Sequence, residues 1–365
     1  MASFGATDAA FEPYAAYDAL YTPPGAELGR GASGVVRRAT RKHDGTPVAV
    51  KVMDLRALRV HAGPQFSISR LRREVDVLRS LRHDGIVRLF GAYGDADGVW
   101  LVMELVEGRE LFDAILSRGT FAEDDARPIF TALLDAVAYM HARNVLHRDL
   151  KPENVLVCGV HEDRVKLVDF GLSKLVGGSQ GLSRAHTMVG TPSYLAPEIE
   201  NLKRRTPSLD LDALDEQSGQ LDLSDGDATY DDRVDAWSLG VTLYVMLVAR
   251  FPVYDRDGDG KIVAARLPPE LSEGARRLLG KLLAADPADR ATVAAARRDA
   301  WCAPENALAL TPPTTPPKND RPTSPEITDA TRSMSLGDDE TSPPRDALMG
   351  LAGAHAGARG GNQSS

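Results

Sequence analysis

Of the 365 residues, 43% are apolar, 26% are charged and 6% are aromatic, and the formal net charge is −9. An apolar share of this size fills a core without disulfides, in one large or two ordinary domains. An acidic total argues against non-specific nucleic-acid or anionic-membrane binding, both of which depend on a basic surplus.

The charge is unevenly placed. Residues 201–232 carry three basic and nine acidic side chains, and residues 303–365 carry five and eight, so the remainder is neutral. Both acidic stretches are poor in large apolar residues and read as solvated appendages on a neutral globule. Two cysteines, Cys158 and Cys302, are too few for a disulfide framework or a zinc cluster, which implies a reducing, cytoplasmic or nuclear setting. The first twenty residues lack an apolar h-region and contain Asp8, Glu12 and Asp18, against a secretory or transit signal. Ala2 stands where myristoylation requires glycine. The longest apolar run, Leu239–Ala249, is about half the roughly 20 residues of a membrane-spanning helix, so it predicts a buried helix.

In chain order, residues 1–20 form an Ala-rich lead-in without strong pattern. Residues 21–105 are strand-rich, with VVRRAT and TPVAVKVM separated by the turn signal His43-Asp44-Gly45 and one helix over 72–81. After Leu111 the pattern turns helical: Ile129, Phe130, Leu133, Leu134, Val137 and Met140 mark one face of a helix over 124–141. Short strands are predicted at 155–158 and 165–168. An irregular segment covers 171–198, the acidic stretch follows, and helices resume at 234–248 and 273–284. The last 60 or so residues, rich in Pro, Ser, Thr and Gly, are predicted to be disordered. A small β-rich lobe thus precedes a larger α-rich one.

Gly29, Gly31 and Gly34 stand where backbone N–H groups could approach phosphate closely. A strand, a turn and another strand follow them, unlike the strand-to-helix setting of a dinucleotide fold. A plain surface turn is the bland alternative. Lys51 lies in an apolar strand where an unpaired ammonium is costly, and Glu74 on the following helix is the candidate partner; the pair reads either as a structural salt bridge or as a held phosphate ligand. Downstream stands His147-Arg-Asp149-Leu-Lys151-Pro-Glu153-Asn154, with Asp169-Phe170-Gly171 beyond it. The two short strands between form a hairpin that brings Asn154 and Asp169 to one mouth. Their hard oxygens suit Mg²⁺ shared with substrate phosphates. Asp149 is left to accept a hydroxyl proton, and Lys151 to steady charge on the transferring group.

These motifs, GRGASGVV, VAVK, Glu74, HRDLKPEN, DFG, GTPSYLAPE, Asp235-Ala-Trp-Ser-Leu-Gly240 and Arg290, resemble the eukaryotic protein kinases in order and spacing over about residues 21–301. The resemblance implies an α+β bilobal protein-kinase-like fold. The domain would cover 21–302, with an N-lobe over 21–103, a C-lobe over 104–302 and an acidic insert at about 201–229, between the lead-in 1–20 and the tail 303–365. It implies that Leu28, Gly29, Gly31, Gly34, Val36, Ala49, Met103, Glu104, Val106 and Leu156 form the ATP site, with Lys51, held by Glu74, on the α- and β-phosphates. Asp149 would be the general base with Lys151 beside it, Asn154 and Asp169 would hold Mg²⁺ (Mn²⁺ as substitute), Asp235 would brace the catalytic loop, and Glu198 would pair with Arg290.

Lys151 and GTPSYLAPE match serine/threonine kinases. WLVMELVEGRELFD and DFGLSK are most similar to the calcium/calmodulin-dependent group, checkpoint-type kinases included. Glu110 and Glu153 match carboxylates that read an arginine upstream of the phosphosite. The resemblance implies that Thr187 is an activating phosphosite whose phosphate would meet Arg70, Arg148 and Lys174, a target for an upstream kinase or autophosphorylation. The expected partners are proteins bearing Ser or Thr, with no nucleic acid or membrane. No basic amphipathic helix follows the domain, which weighs against a calmodulin-binding segment.

The chain departs from the family pattern in the acidic insert and after Pro252, where Asp255–Ile262 matches the opening of an EF-hand loop but carries Arg266 at the twelfth position. A charged turn is the expected reading there. The tail's Thr311, Thr315, Ser324 and Ser342 each precede proline, as in proline-directed phosphosites and in disordered segments generally. A nucleotide-binding scaffold and a small-molecule phosphotransferase are the competing functions. The intact Lys51, Asp149 and Asp169 set opposes the first and the GTPSYLAPE segment the second.

Overall fold

The structure, a computed structural model, describes residues 11–31, 33–62, 67–160, 162–169, 194–200 and 232–303. Thr187, Lys174, Phe170, Gly171, the insert and the tail lie outside the described residues, as does the side chain of Arg70.

Six strands build the first sheet: β1 (Glu12–Pro13), β2 (Glu27–Gly31), β3 (Gly34–Thr40), β4 (Pro47–Asp54), β5 (Leu89–Gly94) and β6 (Gly98–Glu104), in the order β1-β5-β6-β4-β3-β2. All pairings are antiparallel except β1 with β5. The β-branched run of β4 fits a doubly covered central strand, and Val48, Val50 and Met53 are fully buried. Helix α1 (Tyr14–Leu20) precedes the sheet's long strands, and α2 (Leu55–Ala62) and α3 (Ile68–Ser80) connect β4 to β5.

The larger helical part begins with the short strand β7 (Gly108–Glu110), α4 (Leu111–Arg118) and α5 (Glu123–His141). The predicted face of α5 is buried at all six positions, as its 3.6-residue spacing requires. A hairpin of β8 (Val155–Cys158) and β9 (Arg164–Leu167) follows, then α6 (Arg233–Val248). Residues 234–247 of α6 are buried on every side, so the apolar run is the central helix of the core. Strands β10 (Val253–Arg256) and β11 (Ile262–Arg266) and helices α7 (Glu273–Leu282) and α8 (Val293–Arg297) complete the described chain.

Two local readings differ from expectation, and the charged turn expected after Pro252 is present. The lead-in is structured from Phe11: β1 extends the sheet, and Tyr17 is fully buried. Its aromatic spacing is too short for a periodicity signal, and only contact with Tyr93 and Trp100 gives it meaning. Helix α2 was hidden because a strand runs into it without a breaker; Asp54 starts it by accepting hydrogen bonds from the amides of Arg56 (2.8 Å) and Ala57 (3.0 Å). The acidic loop after Pro252 is the turn of the β10–β11 hairpin. The carboxylate of Asp257 accepts from the amides of Asp259 (3.0 Å) and Lys261 (2.8 Å), and Gly260 supplies a left-handed φ of 77°. Strands flank this loop where an EF-hand needs helices.

Candidate active site

The β2–β3 hairpin pairs Gly31 with Gly34. A Cβ at Gly34 (φ 154°) would meet the carbonyl oxygen of Val52 at 2.4 Å, so only glycine lets this hairpin lie on β4. Added Cβ atoms at Gly29 and Gly31 would meet nothing within 4 Å, which leaves their backbone open to a large anion. The strand register then sets Val36 opposite Lys51 and Ala49 opposite Met103. Ala49 and Met103 are buried, Val36 and Val106 half-buried, and Leu28 exposed. Leu156, half-buried on β8, faces Glu110 across the β7–β8 pairing.

Lys51 is 1% exposed, and its ion pair is with Asp169. This corrects the expected partner: the ammonium needs a carboxylate, but it takes the one at the end of β9 and not Glu74 of α3, which is half-buried. Sequence spacing could not rank two carboxylates from different elements. Burial alone would raise the Asp169 carboxyl, but the charge and hydrogen bond of Lys51, with His147 and Lys151 nearby, hold it below its ordinary value.

The other acid is held by its own loop. Lys151 Nζ donates to both oxygens of Asp149 at 3.1 and 3.0 Å. Asn154 Nδ2 donates to the Asp149 carbonyl (2.8 Å) and to Oδ2 (3.0 Å). The Val168 amide donates to the Asn154 carbonyl at 3.0 Å, and Val155 pairs with Leu167, so the β8–β9 hairpin draws Asn154 and Asp169 together. Because Asn154 turns its amide nitrogen to Asp149, its oxygen remains to accept. With the Asp169 carboxylate this is a hard-oxygen donor set of the small size Mg²⁺ uses when phosphates supply the rest.

Two non-glycine residues here have left-handed backbones, Arg148 at φ 62° and Asp169 at φ 59°, a strain of about 1–3 kcal/mol each that neighbours must sustain. Asp235 sustains the first. It is fully buried and accepts from the amides of His147 and Arg148 and from His141 Nε2, each at 2.8 Å. Burial opposes its ionisation, yet the His141 hydrogen bond and the charges of His141 and His147 keep it depressed. His141 had no sequence signal, being 94 positions from Asp235.

Glu110 is the residue just before α4, and Glu153 lies in the 3-10 turn Pro152–Asn154; both are half-buried. Glu153 also raises the buried hydroxyl of Tyr194, after burial itself. Glu104, the last residue of β6, accepts from Lys166 Nζ at 2.8 Å and from the Arg88 amide at 3.3 Å, tying the lobe junction to β9. Arg290 forms a bidentate pair with Glu198 at 2.8 and 2.9 Å and donates to the carbonyls of Arg233, Ala284 and Ala285.

Residues 24–214 match the family model described as the protein kinase domain. The chain is 36% identical over 287 residues to a probable myosin light chain kinase of Dictyostelium discoideum, covering 76% of this chain and 73% of the relative. It is 36% identical to the calcium/calmodulin-dependent protein kinase type 1 of Caenorhabditis elegans (75% and 72% covered) and 32% identical to the serine/threonine-protein kinase cds1 of Schizosaccharomyces pombe (75% and 56%). Among solved structures, that of Rad53 1-466 in complex with AMP-PNP matches with a TM-score of 0.57 and 29% identity, over 78% of this chain and 65% of that one. The bilobal fold, the two acids brought to one mouth and these relatives agree: the chain belongs to the protein kinase family and is a protein serine/threonine kinase.

Proposed function

We propose that the protein transfers the γ-phosphoryl group of Mg-ATP to serine and threonine hydroxyls of proteins carrying an arginine upstream of the phosphosite, in intracellular signalling. The observation that carries this reading is the juxtaposition of Asp149, held by Lys151 and Asn154, with the Lys51–Asp169 pair beside the glycine hairpin. The open backbone of Gly29 and Gly31 receives the phosphates and Lys51 turns to the α- and β-phosphates. The Asp149 carboxylate accepts the proton of the attacking hydroxyl, and Lys151 balances charge on the transferring group. Asn154 and Asp169 would hold Mg²⁺, or Mn²⁺ in its place, which neutralises phosphate charge. Leu28, Val36, Ala49, Met103 and Leu156 enclose the adenine, and the backbone of Glu104 and Val106 orients it.

Glu110 and Glu153 supply two carboxylates on adjoining elements for a substrate arginine, which binds carboxylate in a bidentate fork. Phosphorylation of Thr187, in cis or by an upstream kinase, raises activity by bringing negative charge to Arg148 and its neighbours. Although some relatives are named for calmodulin dependence, residues 303–365 hold five basic and eight acidic side chains, so calcium–calmodulin leaves the rate unchanged.

Radiolabelled ATP with peptide libraries tests the reading. Labelling of Ser/Thr peptides with arginine three residues upstream is expected, with loss of rate in Thr187→Ala. No transfer by wild type in Mg²⁺ overturns the activity, a proline-directed or acidic preference overturns the specificity, and equal activity of Thr187→Ala overturns the activation.

A further inference from the structure

The carboxylate of Glu104 stands where two sheets meet. It accepts from Lys166 Nζ at 2.8 Å and from the Arg88 amide at 3.3 Å, while the Glu104 amide donates to the Arg88 carbonyl at 2.9 Å. Next to Arg88, the Val87 amide donates to the Leu167 carbonyl at 3.0 Å, and the Leu167 amide donates to the Gly85 carbonyl at 2.8 Å. Leu167 follows Lys166 on β9. The contacts therefore close a ring that runs from β9 to residues 85–88, on to Glu104, and back to β9 through Lys166. Backbone bonds tie residues 85–88 to Glu104 and to β9, so the Lys166–Glu104 pair is the side-chain link that closes the ring.

Strand register places that link beside the proposed adenine site. Lys166 is opposite Leu156 across β8–β9, and residues directly opposite in antiparallel strands share a face. The two side chains of the pair are 18% and 31% exposed, so the contact is partly shielded from water. We infer that Lys166 is a positioning residue for nucleotide recognition: by holding the Glu104 carboxylate to β9 it fixes the Glu104 peptide relative to Leu156, and so sets the affinity for ATP and the preference for adenine over guanine. Adenine presents a 6-amino donor where guanine presents a 6-oxo acceptor. A carbonyl held in place accepts from the first and opposes the second, whereas a peptide free to turn discriminates less. The inference rests on the ATP site proposed above.

The test uses the full chain as wild type, Lys166→Met, Glu104→Gln, the double variant, and Arg297→Met, which breaks a part-exposed pair with Asp135 elsewhere in the large lobe. Calorimetric titration with AMP-PNP and with GMP-PNP, each with Mg²⁺, gives affinities, and steady-state kinetics with varied ATP separates KM from kcat. Lys166→Met is expected to weaken AMP-PNP binding and raise the KM for ATP about three- to fivefold, the scale of a part-exposed ion pair. Its kcat stays within about twofold of wild type, as loss of uniform binding requires. The preference for AMP-PNP over GMP-PNP falls about threefold, because guanine loses less. Adding Lys166→Met to Glu104→Gln weakens binding no further, and Arg297→Met changes neither affinity nor kcat. Should Lys166→Met not accumulate folded, Lys166→Gln replaces it. Wild-type affinity for AMP-PNP in Lys166→Met, equal losses for the two nucleotides, or additive losses in the double variant overturns the inference while leaving the ATP site standing. A folded wild type that binds neither nucleotide overturns the ATP reading, and the inference falls with it.

Discussion

Charged groups are handled differently in the floor of the large lobe and in the cleft. In the floor, Arg290 and Glu198 are 0% and 8% exposed, and Arg290 donates to Glu198 and three carbonyls. Asp235 is likewise closed off by three donors. In the cleft, the carboxylates of Asp149 and Asp169 are 24% and 35% exposed, each leans on a lysine, and the backbone at Arg148 and Asp169 is strained. The buried groups are satisfied once and stay put, since an uncompensated charge there is costly. The cleft groups keep solvent-facing oxygens that a phosphate, a hydroxyl or a metal ion can claim. Scaffolding and chemistry are separated by how replaceable each partner is.

The largest effect that would break this contrast is catalytic. Asp149→Asn should lower the rate of peptide phosphorylation by about 10²- to 10⁴-fold, roughly 3 to 5 kcal/mol of barrier, with a melting temperature near that of wild type; wild-type turnover would remove Asp149 from its role. Asp169→Asn should behave similarly in rate. In the floor the outcome inverts: Arg290→Ala strands the buried Glu198 carboxylate and should cost about 3–5 kcal/mol in urea unfolding, and a loss below about 1 kcal/mol would show that the buried pair is dispensable.

A finer test uses pH. Asp299, 3% exposed at its side chain, accepts from Arg277, Lys281 and the Trp301 amide. Burial pushes its carboxyl up, but these partners outweigh burial and bring it to about 2. With the folded value below the unfolded one, its contribution is complete above about pH 4 and is lost as pH falls toward 2. The amount is about 1–2 kcal/mol after screening at its half-exposed cationic partners. Asp299→Asn should therefore flatten this part of the stability curve, and an unchanged slope would count against the assignment. The smallest effect belongs to the hairpin turn: Asp257→Ala removes the carboxylate oxygen that accepts from two amides and should cost about 1 kcal/mol, while millimolar CaCl₂ leaves the wild-type melting temperature unchanged. A calcium-induced rise would restore the EF-hand reading.

Much of this was legible in one dimension because kinase chemistry is carried by short contiguous motifs. The glycine hairpin, Asp149 with Lys151 and Asn154, and the face of α5 depend on local spacing, which the chain states directly. The Lys51 partner was not legible: Glu74 and Asp169 are both acidic, and choosing between them requires the distance between α3 and β9. His141 beside Asp235, Lys166 on Glu104 and the aromatic anchoring of residues 11–21 failed for the same reason, since each joins residues that share no period or motif.

Composition and periodicity by themselves determined a β-rich lobe ahead of an α-rich one, with a charge-balanced domain and two acidic segments, because backbone propensity and burial patterns are local properties, and the order of the motifs added the resemblance to protein kinases. Tertiary structure alone decided which carboxylate meets Lys51, that the lead-in is part of the small-lobe sheet, and that the acidic loop after Pro252 closes a hairpin. Those outcomes depend on competition among groups of like chemistry, and only their positions in space rank them.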